Sequence, residues 1–266
     1  RMMHKSYANY VEVTEAITKY GADSVRQWAA AGGSTGYDIP YRWADVEYGR
    51  KFLTKLWNAA RLILSSLEDY APDLSAPKLE LLDKWLLSKL SKLVKSTTDA
   101  FDNFQFNVAT DSTRNFFWHD LCDQYLEAAK YRLYAKQADD AESRRAAQFT
   151  LFHALDVVLK LLAPICPHIT DALYRELWSG RLKEKSLHLV TWPQPNDKLI
   201  DEESEKNGSI VIRVLSEIRR IKSEKRLSMK APVKKLRVEL EEKAANVLCT
   251  QADALRRIAV VEQLEI

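Results

Sequence analysis

Glycine and proline are scarce: 7 and 8 in 266 residues. That is too few for a turn-rich β architecture and predicts long helices instead. The three cysteines, Cys122, Cys166 and Cys249, are widely spaced and never form a CxxC pair. This excludes a disulfide framework and a zinc site, and fits free thiols in the reducing cytoplasm. Cys122 and Cys166 lie in apolar helical contexts and are expected in the core. No apolar run reaches membrane-spanning length, and the first residues are not a signal peptide, so no membrane partner is expected. HExxH, GxSxG and a glycine-rich phosphate loop are all missing, and the histidines (4, 119, 153, 168, 188) are scattered. No catalytic or metal-binding constellation stands out. Internal repeats and low-complexity tracts are absent too.

What is present begins with Gly49 to Leu67, GRKFLTKLWNAARLILSSL. Wound at about 100° per residue, Phe52, Leu53, Leu56, Trp57, Ala60, Ile63, Leu64 and Leu67 share a core-facing arc of about 140°. Lys51, Thr54, Lys55, Asn58, Arg61 and Ser65 occupy the other side, which has no carboxylate of its own. Leu62 points outward among these cations. Arg61 and Lys55 suit phosphate, Asn58 carries a donor and an acceptor for a base edge, and Leu62 can rest on an unstacked base. A core helix with a solvated basic flank is the plainer alternative.

Around this helix the periodicity predicts a mainly α protein. Residues 1–48 read as a mixed segment with helices over Glu12 to Tyr20 and Ser24 to Ala31, the second capped by Asp23. Further helices are expected over Leu81 to Phe101, from an N-cap at Asn107 to about Tyr134, over Glu142 to Leu162 (stopped by Pro164), and from Pro167 to Gly180. Short connections between them call for an antiparallel bundle over 49–193. Leu187 to Pro193 reads as extended, and 194–208 as a linker. A helix over Ile210 to Arg226, a strand (Lys235 to Leu240), a helix (Lys243 to Ile258) and a strand (Val260 to Ile266) form a small α/β module, 209–266. Between Arg213 and Arg237 ten Lys or Arg face two Glu, so this segment carries +8 and the remainder −5, against a chain total of +3. Arg213 and Arg220 lie opposite Val211, Val214, Leu215 and Ile218, and Lys222, Lys225, Arg226 and Lys230 extend the cluster. It suits either sequence-independent phosphate contact or a solubilising face.

Several stretches then converge on one family. Met3-His4-Lys5-Ser6-Tyr7-Ala8-Asn9 resembles the Lys-Met-Ser-Lys-Ser loop of class I aminoacyl-tRNA synthetases, with Met2 on the first Lys and His4 on the first Ser. Tyr20-Gly21-Ala22-Asp23-Ser24-Val25-Arg26 resembles the stretch trailing that loop in the valine, isoleucine and leucine branch. Lys55-Leu56-Trp57-Asn58-Ala59-Ala60-Arg61 is similar to the entry helix of its anticodon-binding domain. Phe116 to Glu127 (FFWHDLCDQYLE) looks most like the valine enzymes. Leu161 to Thr170, then Leu187-His188-Leu189 before Trp192-Pro193, also recur in the branch.

The resemblance implies the C-terminal, tRNA-binding portion of a valine-specific member, whose parent charges tRNA-Val with valine using ATP. It implies that Lys5, with Met3, His4 and Ser6 around it, helps hold ATP phosphates, a task suited to a mobile point charge. Met2 removes one cation of the loop, and His4 changes its hydrogen bonding. The nucleotide-binding fold and editing domain are expected before Arg1, so this stretch alone should not aminoacylate or bind ATP well. What remains is tRNA recognition through Lys51, Lys55, Asn58, Arg61 and Leu62, with Arg213 and Arg220 as a second surface; no DNA partner is expected. The same portion of an isoleucine or leucine enzyme is one alternative, and a free-standing helical RNA-binding or protein-interaction module another.

Overall fold

In the computed structural model, residues 3–7, 9–34, 36–72, 77–134, 140–179 and 185–266 are described. The helices are α1 (Val13–Tyr20), α2 (Ala22–Ala31), α3 (Trp43–Ser66), α4 (Leu81–Asp102), α5 (Phe106–Asn115), α6 (Glu127–Leu133), α7 (Ala141–Leu162), α8 (Pro167–Leu177), α9 (Glu202–Glu224), α10 (Glu242–Thr250) and α11 (Ala252–Ala259). Strand β1 (Val233–Arg237) pairs in parallel with β2 (Val261–Glu265), Val233 opposite Val261 and Arg237 opposite Glu265. The result is a mainly α chain with a small α/β module, as expected. Gly180 and most of the turn read from Lys136 to Glu142 lie outside the described residues.

Between α5 and α6, Phe116–Leu126 is π-helical. Its buried side chains, Phe116, Phe117, Leu121, Cys122, Tyr125 and Leu126, recur largely at steps of five. That spacing satisfies i→i+5 hydrogen bonding rather than the α period. The helix expected after an N-cap at Asn107 is therefore three segments, and its cap stands two residues earlier, at Gln105, with Phe106 the first helical residue.

Packing divides the chain into two compact units. The first comprises Arg1–Glu68, Leu93–Phe117 and Leu155–Pro195. Its core gathers Phe52, Leu56, Ala60 and Ile63 of α3 with Phe117, Leu155, Leu159 and Leu173; the rings of Phe52 and Phe117 meet edge to face at 5.7 Å. Asp23 does not cap its own helix. Its buried carboxylate accepts from the backbone N–H of Ile169 (2.8 Å) and His168 (3.4 Å), capping the first turn of α8. Arg26 donates to the carbonyls of Ile165 and Pro164 at 3.0 and 2.9 Å, so α2 clamps the α7–α8 turn from both sides. Gly49 lets α3 approach α2: a Cβ there would lie 3.2 Å from both Gln27 Oε1 and the Ser24 carbonyl. Of the stretch expected to be extended, Leu187–Leu189 forms a 3₁₀ turn and Val190 is extended, and Trp192 Nε1 donates to Thr98 Oγ1 at 2.8 Å.

The second unit comprises Asp69–Lys92, Trp118–Ala154 and Asn196–Ile266. At its centre Asp83, 0% exposed, takes both Nη atoms of Arg132 at 2.8 Å and the Tyr125 hydroxyl at 2.5 Å. Two parallel bonds to one carboxylate offset the desolvation of both charges. The Arg144 guanidinium holds the Asp69 carboxyl down at about 2. Helix α9 starts at Glu202, eight residues before the expected Ile210, so part of the acidic run read as linker is helical. Asp201 Oδ1 accepts from Ser204 N at 2.8 Å, and Glu202, Glu203 and Glu205 fill the first turn, where the helix dipole favours negative charge. The helix expected over Lys243 to Ile258 is two, broken at Gln251.

Lys222 corrects the solvent-facing cluster drawn around it. It is 3% exposed, and its Nζ donates to the carbonyls of Met229 (3.0 Å), Ala231 (2.8 Å) and Ala259 (2.8 Å). All three ammonium donors are thereby used. The Lys222 pKa is lowered by burial.

Candidate nucleic-acid interface

In the first unit, α3 divides its surface as an amphipathic helix must. Tyr48, Lys51, Lys55, Asn58 and Leu62 fall within about 80° of one another at the helical period. Tyr48, Lys51, Asn58 and Arg61 are exposed, while Lys55 and Leu62 are half-buried. The flank is not free of carboxylate, because α3 starts before Gly49: Lys51 Nζ lies 3.0 Å from Glu47 Oε1, one turn back. Trp57 leaves the core arc. It sits at the arc's edge beside Arg61 and is 40% exposed. A flat ring next to a guanidinium is a combination that single-stranded nucleic acid favours.

At the N-terminal end of this stripe opens a cleft of about 560 Å³, lined by Trp28, Arg42, Tyr48, Asp111, Arg114 and Asn115 among others. Arg114 is only 8% exposed. Its guanidinium lies 4.5 Å from the centre of the Tyr48 ring and 5.5 Å from that of Phe52, and Nη1 is 3.4 Å from Asp111 Oδ1. Burial pushes the Asp111 carboxyl up, partly countered by Arg114. Trp28 Nε1 is buried with no hydrogen-bond partner among the described residues. The cleft thus offers an exposed ring backed by a cation, with donors on its wall and Arg42 at its lip. Reading the sequence by the α3 period alone missed it, because Trp28, Arg42 and Arg114 come from three separate segments.

Two other groups of expected site residues lie elsewhere. Met3, His4 and Ser6 are exposed around a short 3₁₀ turn, Lys5–Tyr7. His4 Nδ1 and Ser6 Oγ are 2.6 Å apart, and the His4 backbone N–H donates to Asn9 Oδ1 at 3.0 Å. The imidazole standing in the serine position thus ties the turn to itself; the Lys5 side chain lies outside the described residues. In the second unit, Arg213 is exposed, while Arg220 sits between Glu217 (2.9 Å) and Glu224 (2.5 Å). His119, also exposed, pairs with Asp123 at 3.2 Å. Among the described residues no group of His, Cys, Asp and Glu is arranged to hold a metal, and no helix is long and apolar enough to cross a membrane.

Comparison with known proteins gives consistent matches. The family described as the anticodon-binding domain of tRNA ligase matches residues 83–240. The valine–tRNA ligase of Methanothermobacter thermautotrophicus is 40% identical over 246 residues, 92% of this chain and 27% of that protein. That of Thermococcus kodakarensis is 39% identical over 266 residues, 100% of this chain and 29% of its own length. The chain therefore spans under a third of these relatives. Among solved structures, the LeuRS of an Agrobacterium radiobacter K84 LeuRS-tRNA-LeuAMS complex shares the fold, with a TM-score of 0.58 at 16% identity. The match covers 99% of this chain and 30% of that one.

Proposed function

The chain belongs to the family of anticodon-binding domains of tRNA ligases, and from that we propose that it is the tRNA-reading C-terminal portion of a valine–tRNA ligase. Identity of 39–40% to valine enzymes over nearly the whole chain supports the valine assignment. One structural observation carries the choice of surface: the outer face of α3 presents Asn58 and Arg61 to solvent and runs into the Tyr48–Arg114 cleft. Anticodon-loop bases are unstacked and expose both ring faces and hydrogen-bonding edges. Tyr48 and Trp57 supply flat apolar surface, Asn58 supplies a donor and an acceptor, and Arg61, Lys55, Lys51 and Arg42 supply charge for phosphates. Arg213 supplies a further cation on the second unit.

Joining valine to tRNA-Val with ATP is, on this reading, the activity of the whole ligase. Lys5 is the residue of this chain that would meet ATP phosphates there, and its turn would be presented to the nucleotide by the rest of the enzyme. No step of that chemistry is carried by the anticodon-reading surface.

The test is a titration of the chain with tRNA-Val, tRNA-Ile and tRNA-Leu. Tightest binding to tRNA-Val is expected. Arg61→Ala should weaken that binding by about 1–3 kcal/mol, as loss of a specific charged contact does. An Arg61→Ala variant that titrates like the unaltered chain would remove α3 from the interface, and equal affinity for all three tRNAs would remove the valine assignment.

A further inference from the structure

We propose that Phe104 is a stacking platform for an unstacked base of the tRNA anticodon loop, an inference that rests on the function proposed above. Helix α4 ends in a tight cap. The Gln105 N–H donates to the Ala100 carbonyl at 2.8 Å and the Phe104 N–H to the Phe101 carbonyl at 3.0 Å. This is the Schellman pattern, which forces the residue in the Phe104 position into the left-handed region, and φ is 55° there. Glycine adopts that conformation without penalty, whereas a side chain with a Cβ is strained. The strain is not offset by burial, since the ring is 65% exposed. An aromatic residue held in a glycine position and turned to solvent has a use for its ring outside the fold.

The surroundings say what kind of use. Phe106, 41% exposed, meets Phe104 edge to face at 6.2 Å, and Phe101 lies 6.1 Å from Phe106. The platform is therefore braced by two further rings. No Lys or Arg occurs between Phe101 and Val108, and Asp102 is the charge within that stretch. Such a surface does not attract phosphate; it suits contact with the face of a base, which every base can provide. The platform also stands at the entry to α5, the helix that lines one wall of the cleft. Val108, Asp111 and Asn115 are exposed along one stripe of α5, spanning about 60° at the helical period. Asp111 and Asn115 line the cleft. Phe104 lies in the turn that enters α5, two residues before its first residue, Phe106, and Asp111 is five residues, roughly 7.5 Å along the axis, beyond Phe106. A single strand with one base against Tyr48 would reach the α4–α5 turn, and Phe104 in it, by following this stripe toward the start of α5.

The experiment compares the unaltered chain with Phe104→Gly and Phe104→Tyr by thermal melting and by titration with tRNA-Val. A second titration uses tRNA-Val carrying 2-aminopurine at single anticodon-loop positions. Phe104→Gly should melt at the same or a higher temperature, bind roughly ten- to hundred-fold more weakly, and lose the fluorescence change of one 2-aminopurine position. Phe104→Tyr should keep the affinity and the fluorescence change. Unaltered affinity of Phe104→Gly, the result expected if the rings dock a protein instead, overturns the proposal. A lower melting temperature for Phe104→Gly overturns it as well, because the residue would then serve the fold. Failure of the unaltered chain to bind any of the labelled tRNAs would reject the proposed function itself, and this inference with it.

Discussion

Asp83 is a carboxylate without solvent, held by one guanidinium, one phenol and the Glu80 backbone N–H. Removing it leaves Arg132, 3% exposed, with only the longer contact to Glu80 Oε2 (3.5 Å) to balance its charge, so Asp83→Ala should destabilise the second unit by about 3–5 kcal/mol in urea unfolding. A loss below about 1 kcal/mol would mean that water reaches the guanidinium. Nothing in the sequence around Asp83 announces a partner 49 residues away, because pairing across a fold leaves no local pattern. Lys222 is a different case. It lies 4, 7 and 11 residues beyond Ile218, Leu215 and Val211, on the apolar edge of α9, so the helical period marked it as internal. Counting charges without their phase put it outside. Trp57 errs the other way: it stands at the margin of the α3 arc, where period alone does not decide between core and solvent.

Elements were legible wherever amphipathic period and terminating residues agreed. Helices α4, α7 and α8 start within a residue of expectation, the last with Pro167 in its first turn. Legibility failed where a cap came from a distance, as Asp23 does for α8, and where acidic residues were taken for linker although the first turn of α9 welcomes them. Gly208 is an interior helical glycine, normally unfavourable. Its reason is contact: a Cβ there would stand 2.7 Å from the Trp85 side chain. Gly208→Ala should therefore cost about 1–3 kcal/mol through overpacking, despite alanine's better helix propensity. A calorimetric melt checks it, and a rise in melting temperature would show that Trp85 moves aside freely. The candidate site was half legible. Period found the outer face of α3, but a cleft assembled from α2, the segment before α3 and α5 has no signature in any one of them.

Across the whole chain, charge is placed less simply than the +8 of Arg213 to Arg237 suggests. Within that segment Lys222 is internal, Arg220 is flanked by Glu217 and Glu224, and Lys235 and Arg237 meet Glu265 and Glu239. Each phosphate contact contributes about 0.7–0.9 to the slope of log affinity against log salt. Arg220→Ala should change that slope by less than one such contact, while Arg213→Ala should lower it by about one. The reverse order, measured in tRNA titrations over a salt series, would show that the Glu217 and Glu224 pairs open on binding.

The π-helical run from Phe116 to Leu126 has a consequence for how this sequence can vary. A helix that winds five residues where others wind fewer holds a surplus of backbone, and the aromatic rings along it are spaced for that surplus. Excising one residue would let the ladder tighten toward i→i+4 bonding and take up that surplus, whereas the same cut in the α-helical stretch that follows would swing Arg132 by about 100° away from Asp83. Letter count is thus negotiable along the first stretch, as spelling is at exposed His119, and fixed along the second.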